Sequence, residues 1–161
     1  PVSNDTIEDI RQMAKSVDKV YNVHDIIVHR YGMHNFISMH IEVDEKLSAF
    51  NLHNIADKVE KIVAHKLTAD VVTHVDPVII EGETVENIRQ IVQNEMKTYS
   101  VPGIIQDLRF VEDKEVESIL FQVPVPVNFP DVVILEENIR QKLTSEYPSS
   151  AIMMDFVTQL T

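Results

Sequence analysis

The hydrophobic positions of the chain change from helical spacing to strict alternation and back in a regular order. Residues 5–20 and 48–66 carry apolar side chains three and four apart, which predicts two amphipathic helices. Residues 23–31, 36–43 and 71–77 are rich in β-branched residues or alternate apolar with polar positions, which predicts three strands. A short turn separates the first two strands, so we expect a hairpin. The predicted order is helix, strand, strand, helix, strand (αββαβ).

The same order of elements is predicted a second time. Ile10-Arg11-Gln12 returns as Ile88-Arg89-Gln90 and Tyr21 returns as Tyr99, each at an offset of 78 (88 minus 10, and 99 minus 21). A repeat of this kind is typical of an internal duplication. The elements predicted for the second copy are a helix at 84–98, strands at 104–111 and 116–127, a helix at 131–146 and a strand at 151–158.

The fold class follows from this order. A hairpin and a third strand, with both helices covering one face, make a two-layer arrangement of ferredoxin-like type. We therefore predict an α+β protein of two tandem ferredoxin-like αββαβ units, each with its helices on one sheet face. The predicted domains are residues 1–82 and 83–161.

Composition excludes several classes of function. The 161 residues include no Cys, so any metal site must use nitrogen and oxygen ligands. The net charge of -12 and the lack of a basic run argue against nucleic acid as a partner. The chain also lacks an apolar run long enough to span a bilayer and the sequence motifs of common hydrolases.

Candidate metal ligands concentrate in the first half of the chain. In the strand at 71–77, His74 and Asp76 point to the same face because side chains alternate. His40 lies on the polar face of its own strand, and His53 lies on the flank of the second helix, four residues before Asp57. Imidazole and carboxylate groups are metal ligands, although a strand-end ion pair is an alternative for His74 and Asp76. All seven histidines fall before residue 75: His24, His29, His34, His40, His53, His65 and His74.

Four short runs of the first half stand in a recognisable order and spacing. They are Val23-His24-Asp25-Ile26, Ile37-Ser38-Met39-His40-Ile41-Glu42-Val43, His53-Asn54-Ile55-Ala56-Asp57-Lys58-Val59-Glu60 and Thr73-His74-Val75-Asp76-Pro77. Together they resemble the cytoplasmic C-terminal domain of cation diffusion facilitator transporters. The second half resembles that domain only in outline.

This resemblance implies a function and a ligand set. It implies a metal-sensing, homodimerising regulatory domain on the cytoplasmic face of the cell membrane, attached to a transmembrane domain of the same polypeptide that exports divalent cations. The ion is expected to be Zn²⁺, with Mn²⁺, Fe²⁺, Co²⁺ and Ni²⁺ also compatible with His and carboxylate ligands. The positions that match the family's ligands are His24, His40, His53, His74 and Asp76. Asp25 and Glu42 are interpreted as solvated strand charges, with a lesser role as spare acceptors.

Two other functions remain open on the sequence. One is a free-standing ferredoxin-like metal buffer or small-molecule sensor whose histidines are incidental. The other is a metal-dependent hydrolase, which would need an open coordination position and a general base. The prediction favours a protein that is not an enzyme.

The second copy is predicted to be degenerate and to lack metal ligands. A rough alignment matches His40 with Gln122, His53 with Val133, His74 with Met154 and Asp76 with Phe156. Pro124 and Pro126 leave two N–H positions vacant on one edge of their strand, so we expect that edge to be unpaired there.

Overall fold

The computed structural model describes residues 3–112 and 115–159 and divides the chain into two compact units, Pro1–Pro77 and Val78–Thr161. The division falls five residues before the predicted boundary (82 minus 77). Its physical reason is that Ile79 already pairs with Phe110 of the second unit through two backbone hydrogen bonds. Among the described residues, no helix has both the length and the apolar character needed to cross a membrane.

The first unit has the predicted αββαβ order. Its elements are α1 (Asn4–Lys15), β1 (Asn22–Tyr31), β2 (His34–Asp44), α2 (Ala49–Leu67) and β3 (Ala69–Val78). The sheet has the strand order β1-β2-β3, with β1 and β2 antiparallel. Helix α1 is shorter than predicted because the chain leaves it at the cap residue Ser16 and Lys19 adopts a left-handed φ of 73°.

Both helices of the first unit cover the same face of the sheet. Ile10 of α1 and Val59 of α2 are fully buried in one cluster with Met39 and Ile41 of β2. The side chains between these β2 residues, including His40, therefore point to the opposite face. We call that opposite face of the first sheet its open face.

Serine side chains cap the N-termini of both helices of this unit. The Ser3 hydroxyl accepts a hydrogen bond from the backbone N–H of Thr6, and the Ser48 hydroxyl accepts one from Asn51. Such caps satisfy N–H groups that have no partner inside the helix. Helix α2 ends at Thr68, whose φ of 49° turns the chain directly into β3.

The second unit repeats the architecture. Its elements are α3 (Glu83–Thr98), β4 (Gln106–Glu112), β5 (Glu117–Pro126), α4 (Val132–Glu146) and β6 (Ser150–Gln159). The strand order is β4-β5-β6, with β4 antiparallel and β6 parallel to the central β5. The α+β class and the two tandem ferredoxin-like units predicted from the sequence are confirmed.

The two prolines of β5 lie where only one neighbouring strand is present. β6 pairs along β5 as far as Pro126, whereas the described register of β4 stops at Gln122. Pro124 and Pro126 follow that point, so their missing N–H groups fall on the side that β4 has already left. The central strand therefore tolerates them, in agreement with the expectation from the sequence.

The register of the repeat corrects our alignment of the last strand by one residue. β3 and β6 are offset by 81 (150 minus 69, and 159 minus 78). Met154 and Phe156, which the sequence alignment matches with His74 and Asp76, pack against the core of the second unit. A slip of one residue exchanges the two faces of a strand. His74 therefore corresponds to Asp155, and Asp76 to Val157.

Candidate metal centre

Three of the predicted ligands meet on the open face of the first sheet. One ligand atom from each of His24, His40 and Asp76 lies within 4.8 Å of the other two. Each residue comes from a different strand: His24 from β1, His40 from β2 and Asp76 from β3. All three side chains are about one-third exposed, so the group is open to solvent on one side.

Asp76 connects the two imidazoles. Its Oδ2 atom lies 3.0 Å from His24 Nε2 and 3.1 Å from His40 Nδ1. Two donors held tetrahedrally at about 2.1 Å from one ion are roughly 3.4 Å apart. The two separations that involve Asp76 are therefore within a few tenths of an ångström of what a shared ion requires.

Strand pairing explains why His24 and His40 meet. They are directly opposite residues in the antiparallel register of β1 and β2, and their rings stack with centroids 5.2 Å apart. Just after His24 the register shifts at a β-bulge, where Asp25 adopts a left-handed φ of 50°. A β-bulge therefore lies directly beside His24, one of the three residues of the group.

His74 lies beside this group. Its ring stacks on that of His40 with centroids 4.9 Å apart. It is exposed and is not part of the group of three. His74 therefore adjoins the centre without belonging to it.

His53 is not brought into the group. It is exposed on α2, whose buried side chains pack against the other face of the sheet. Asp57, one turn later on α2, is held by Lys61 at 2.8 Å rather than by the His53 ring. The hydrogen bond from Lys61 lowers the pKa of the Asp57 carboxyl, with the charge of Lys61 and then the nearby His53 adding to the effect.

Two carboxylates beside His24 were underestimated from the sequence. Asp25 Oδ2 lies 3.2 Å from His24 Nδ1, and Glu42 Oε2 lies 3.8 Å from His24 Nε2. Glu42 is only 3% exposed, so its interpretation as a solvated strand charge is wrong. For Asp25 the sequence offered one indication of a special position, because Asp is one of the few residues that tolerate a left-handed backbone.

The remaining histidines lie outside the centre. His34 Nε2 is 2.7 Å from Asp70 Oδ2, in an exposed pair. His29 stacks loosely on Tyr31 and Phe36. Neither ring belongs to the group of three.

The chemistry of the donor set suits a borderline divalent cation. Two imidazole nitrogens and a carboxylate oxygen are ligands of Zn²⁺ and its neighbours, whereas a calcium or magnesium site would be built from oxygens. A neutral imidazole provides one lone pair, and the Asp76 carboxylate can bind one or two ions.

Comparison with known proteins points to one family. Residues 2–78 match the family model described as the cytoplasmic domain of cation efflux proteins. The match covers almost all of the first unit and just under half of the chain, and it agrees with the family that the sequence motifs resemble. We refer to the first unit below as the efflux domain.

The chain is also similar in sequence to cation-efflux pumps. The cation-efflux pump FieF of Shewanella oneidensis is 33% identical over 84 residues, which are 52% of this chain and 28% of that protein. FieF of Serratia proteamaculans is 36% identical over 66 residues, 39% of this chain and 22% of that protein. The chain thus spans about a quarter of the length of the curated relatives that it matches.

Solved structures match about half of the chain. The metal-bound C-terminal domain of the CzcD transporter from Thermotoga maritima is 30% identical, with a TM-score of 0.43, and the match covers 47% of this chain and 94% of that one. A structure of the zinc transporter CzrB, described as putative, is 24% identical, with a TM-score of 0.45, and the match covers 51% and 100%.

Proposed function

We propose that the efflux domain is the metal-sensing, homodimerising regulatory part of a divalent cation efflux protein, with Zn²⁺ as the preferred ion. The observation that carries the proposal is the convergence of His24, His40 and Asp76 from three strands. The relatives named above are cation-efflux pumps, which supports a metal cation as the cargo. The transport step belongs to a membrane domain of the same polypeptide.

The three converging residues are the core of the proposed site. His24 presents Nε2 and His40 presents Nδ1, and Asp76 lies between them. His74 is the next ligand, because its ring already lies against that of His40. With His74, four protein donors are available, which is the number that Zn²⁺ usually takes.

His53 has a different place in the proposal. Helix α2 covers the face of the sheet opposite to the centre, so the His53 ring of the same unit lies on the far side of the core. We propose that it contributes to an ion held by a second copy of the efflux domain in the homodimer. A site shared in this way makes dimer closure depend on metal.

Charge supplies the driving force for such a response. The chain has a net charge of -12, so two copies repel each other. A bound divalent cation offsets part of this charge and joins side chains from separate strands. Metal then favours the closed pair in proportion to its higher affinity for that state.

Metal titration followed by thermal melting tests the proposal. At a Zn²⁺ concentration of 100 times Kd, the wild-type chain should gain about 2.7 kcal/mol of stability. The double variant H40A/D76A should gain little, while H65A, which changes an exposed histidine of α2, should respond like wild type. Sedimentation with and without Zn²⁺ then measures the dimer. An equal response of wild type and H40A/D76A would show that the histidines are incidental.

A further inference from the structure

The imidazole of His24 lies between two carboxylates. Its Nε2 atom faces Asp76 at 3.0 Å, and its Nδ1 atom faces Asp25 Oδ2 at 3.2 Å. An imidazole that binds a metal through one nitrogen carries a proton on the other, and that N–H commonly faces a carboxylate. Asp25 occupies the position from which a carboxylate would set the tautomer of His24.

Contact between neighbouring side chains is unusual in a strand. Adjacent residues of a regular strand point to opposite faces, so His24 and Asp25 would be kept apart. Here the β-bulge after His24 and the left-handed φ of Asp25 (50°) turn the carboxylate back toward the imidazole. A bulge of this kind re-aims a side chain next to a functional site.

The second unit keeps the bulge without the histidine. Gln106 pairs with Gln122 as His24 pairs with His40, and the register shifts directly after it. Asp107 has a φ of 55° at the position equivalent to Asp25. The backbone feature alone is thus common to both units, whereas the contact between imidazole and carboxylate belongs to the first.

We propose that Asp25 is a positioning residue for the metal centre: it accepts a hydrogen bond from His24 Nδ1–H, which fixes the ring and leaves the Nε2 lone pair for the ion. This role rests on the proposed metal-binding function. The Asp25 side chain is 70% exposed, so solvent screens its interaction with His24. We therefore expect loss of Asp25 to weaken metal binding by an amount at the lower end of the range known for such partners.

Substitution of Asp25 by glycine separates the effect of the carboxylate from that of the backbone conformation. In D25G the left-handed φ remains available without strain, so only the carboxylate is lost. We expect the Kd for Zn²⁺, measured by competition with a chelator on the 161-residue chain, to rise about tenfold. D25N keeps a neutral acceptor and should fall between D25G and wild type. D107G makes the same change at the equivalent bulge of the second unit and should leave Kd unchanged.

A spectroscopic readout completes the test. In the Zn²⁺-loaded wild type, the ¹⁵N resonances of the His24 ring should show Nδ1 protonated and Nε2 bound, and D25G should broaden or split that signal. If D25G binds Zn²⁺ as wild type does while H24A binds it more weakly, the positioning role is wrong and the metal site stands. If neither wild type nor H24A binds Zn²⁺, the proposed function itself fails.

Discussion

His24 and His40 are directly paired across β1 and β2, and their rings stack with centroids 5.2 Å apart. The ring of His74 continues the row on the other side of His40, at 4.9 Å. The open face of the efflux domain therefore carries a line of three imidazoles, one from each strand. Asp76 stands beside this line and contacts two of the rings.

Removal of the central imidazole should weaken metal binding strongly. His40 Nδ1 is one of three converging donors, so H40A should raise the Kd for Zn²⁺ by more than the roughly 10–100-fold typical for loss of an outer-shell partner. Isothermal titration measures this change. Q122A, at the equivalent position of the second sheet, is the matched control, and an effect of equal size there would contradict the assignment.

Acid should release the ion. A metal displaces the proton of each imidazole that it binds, so protons compete with the metal for His24 and His40. Where both imidazoles are protonated in the free protein, the logarithm of the apparent binding constant should fall by about two for each unit decrease in pH. H40A should lower this slope by about one. Fluorescence competition over a pH series would detect a flat profile, which contradicts histidine ligation.

Replacement of Thr73 by valine should stabilise the efflux domain. The buried Thr73 Oγ1 atom has no hydrogen-bond partner among the described residues, although the Thr73 backbone N–H donates to Glu60. A buried hydroxyl without a partner costs about 1–3 kcal/mol. T73V removes the hydroxyl and keeps the shape, so we expect a gain of about 1 kcal/mol in urea unfolding. A loss of stability would show that the hydroxyl has a partner.

Two lysine-carboxylate pairs should differ in their contribution to stability. Lys142 pairs with Glu95, which is only 4% exposed on α3, whereas Lys61 pairs with the exposed Asp57. Loss of a partner leaves a buried charge unsatisfied, so K142M should cost about 1–3 kcal/mol in chemical unfolding. K61M should cost much less, because solvent screens an exposed pair. Similar losses in both variants would contradict this ordering.

The effect of Lys61 on the pKa of Asp57 should be measurable although the pair is exposed. The hydrogen bond from Lys61 lowers the pKa of Asp57 below its usual 3.8. A lowered pKa means that folding favours the charged carboxylate, so its contribution to stability is present at neutral pH and is lost as the pH falls through the folded-state pKa. NMR titration should find the Asp57 pKa higher in K61M. An unchanged value would show that Lys61 does not hold the carboxylate.

The order of elements, the duplication and the faces of the strands could all be predicted from the local pattern of residues. Alternation in β2 placed His40 opposite the buried Met39 and Ile41, and alternation in β3 placed His74 and Asp76 together. These results rest on local periodicity, which the sequence displays directly. The family motifs added His24 and His53 as expected ligands.

Which of the predicted ligands meet depends on how the elements pack together. The strand order brings β1 and β3 to either side of β2, and the pairing of His24 with His40 follows from the hairpin register. Helix packing places His53 on the other side of the sheet, and a left-handed residue at a bulge turns Asp25 toward His24. Register, packing side and bulge geometry depend on contacts between distant segments, which the local pattern of residues does not contain.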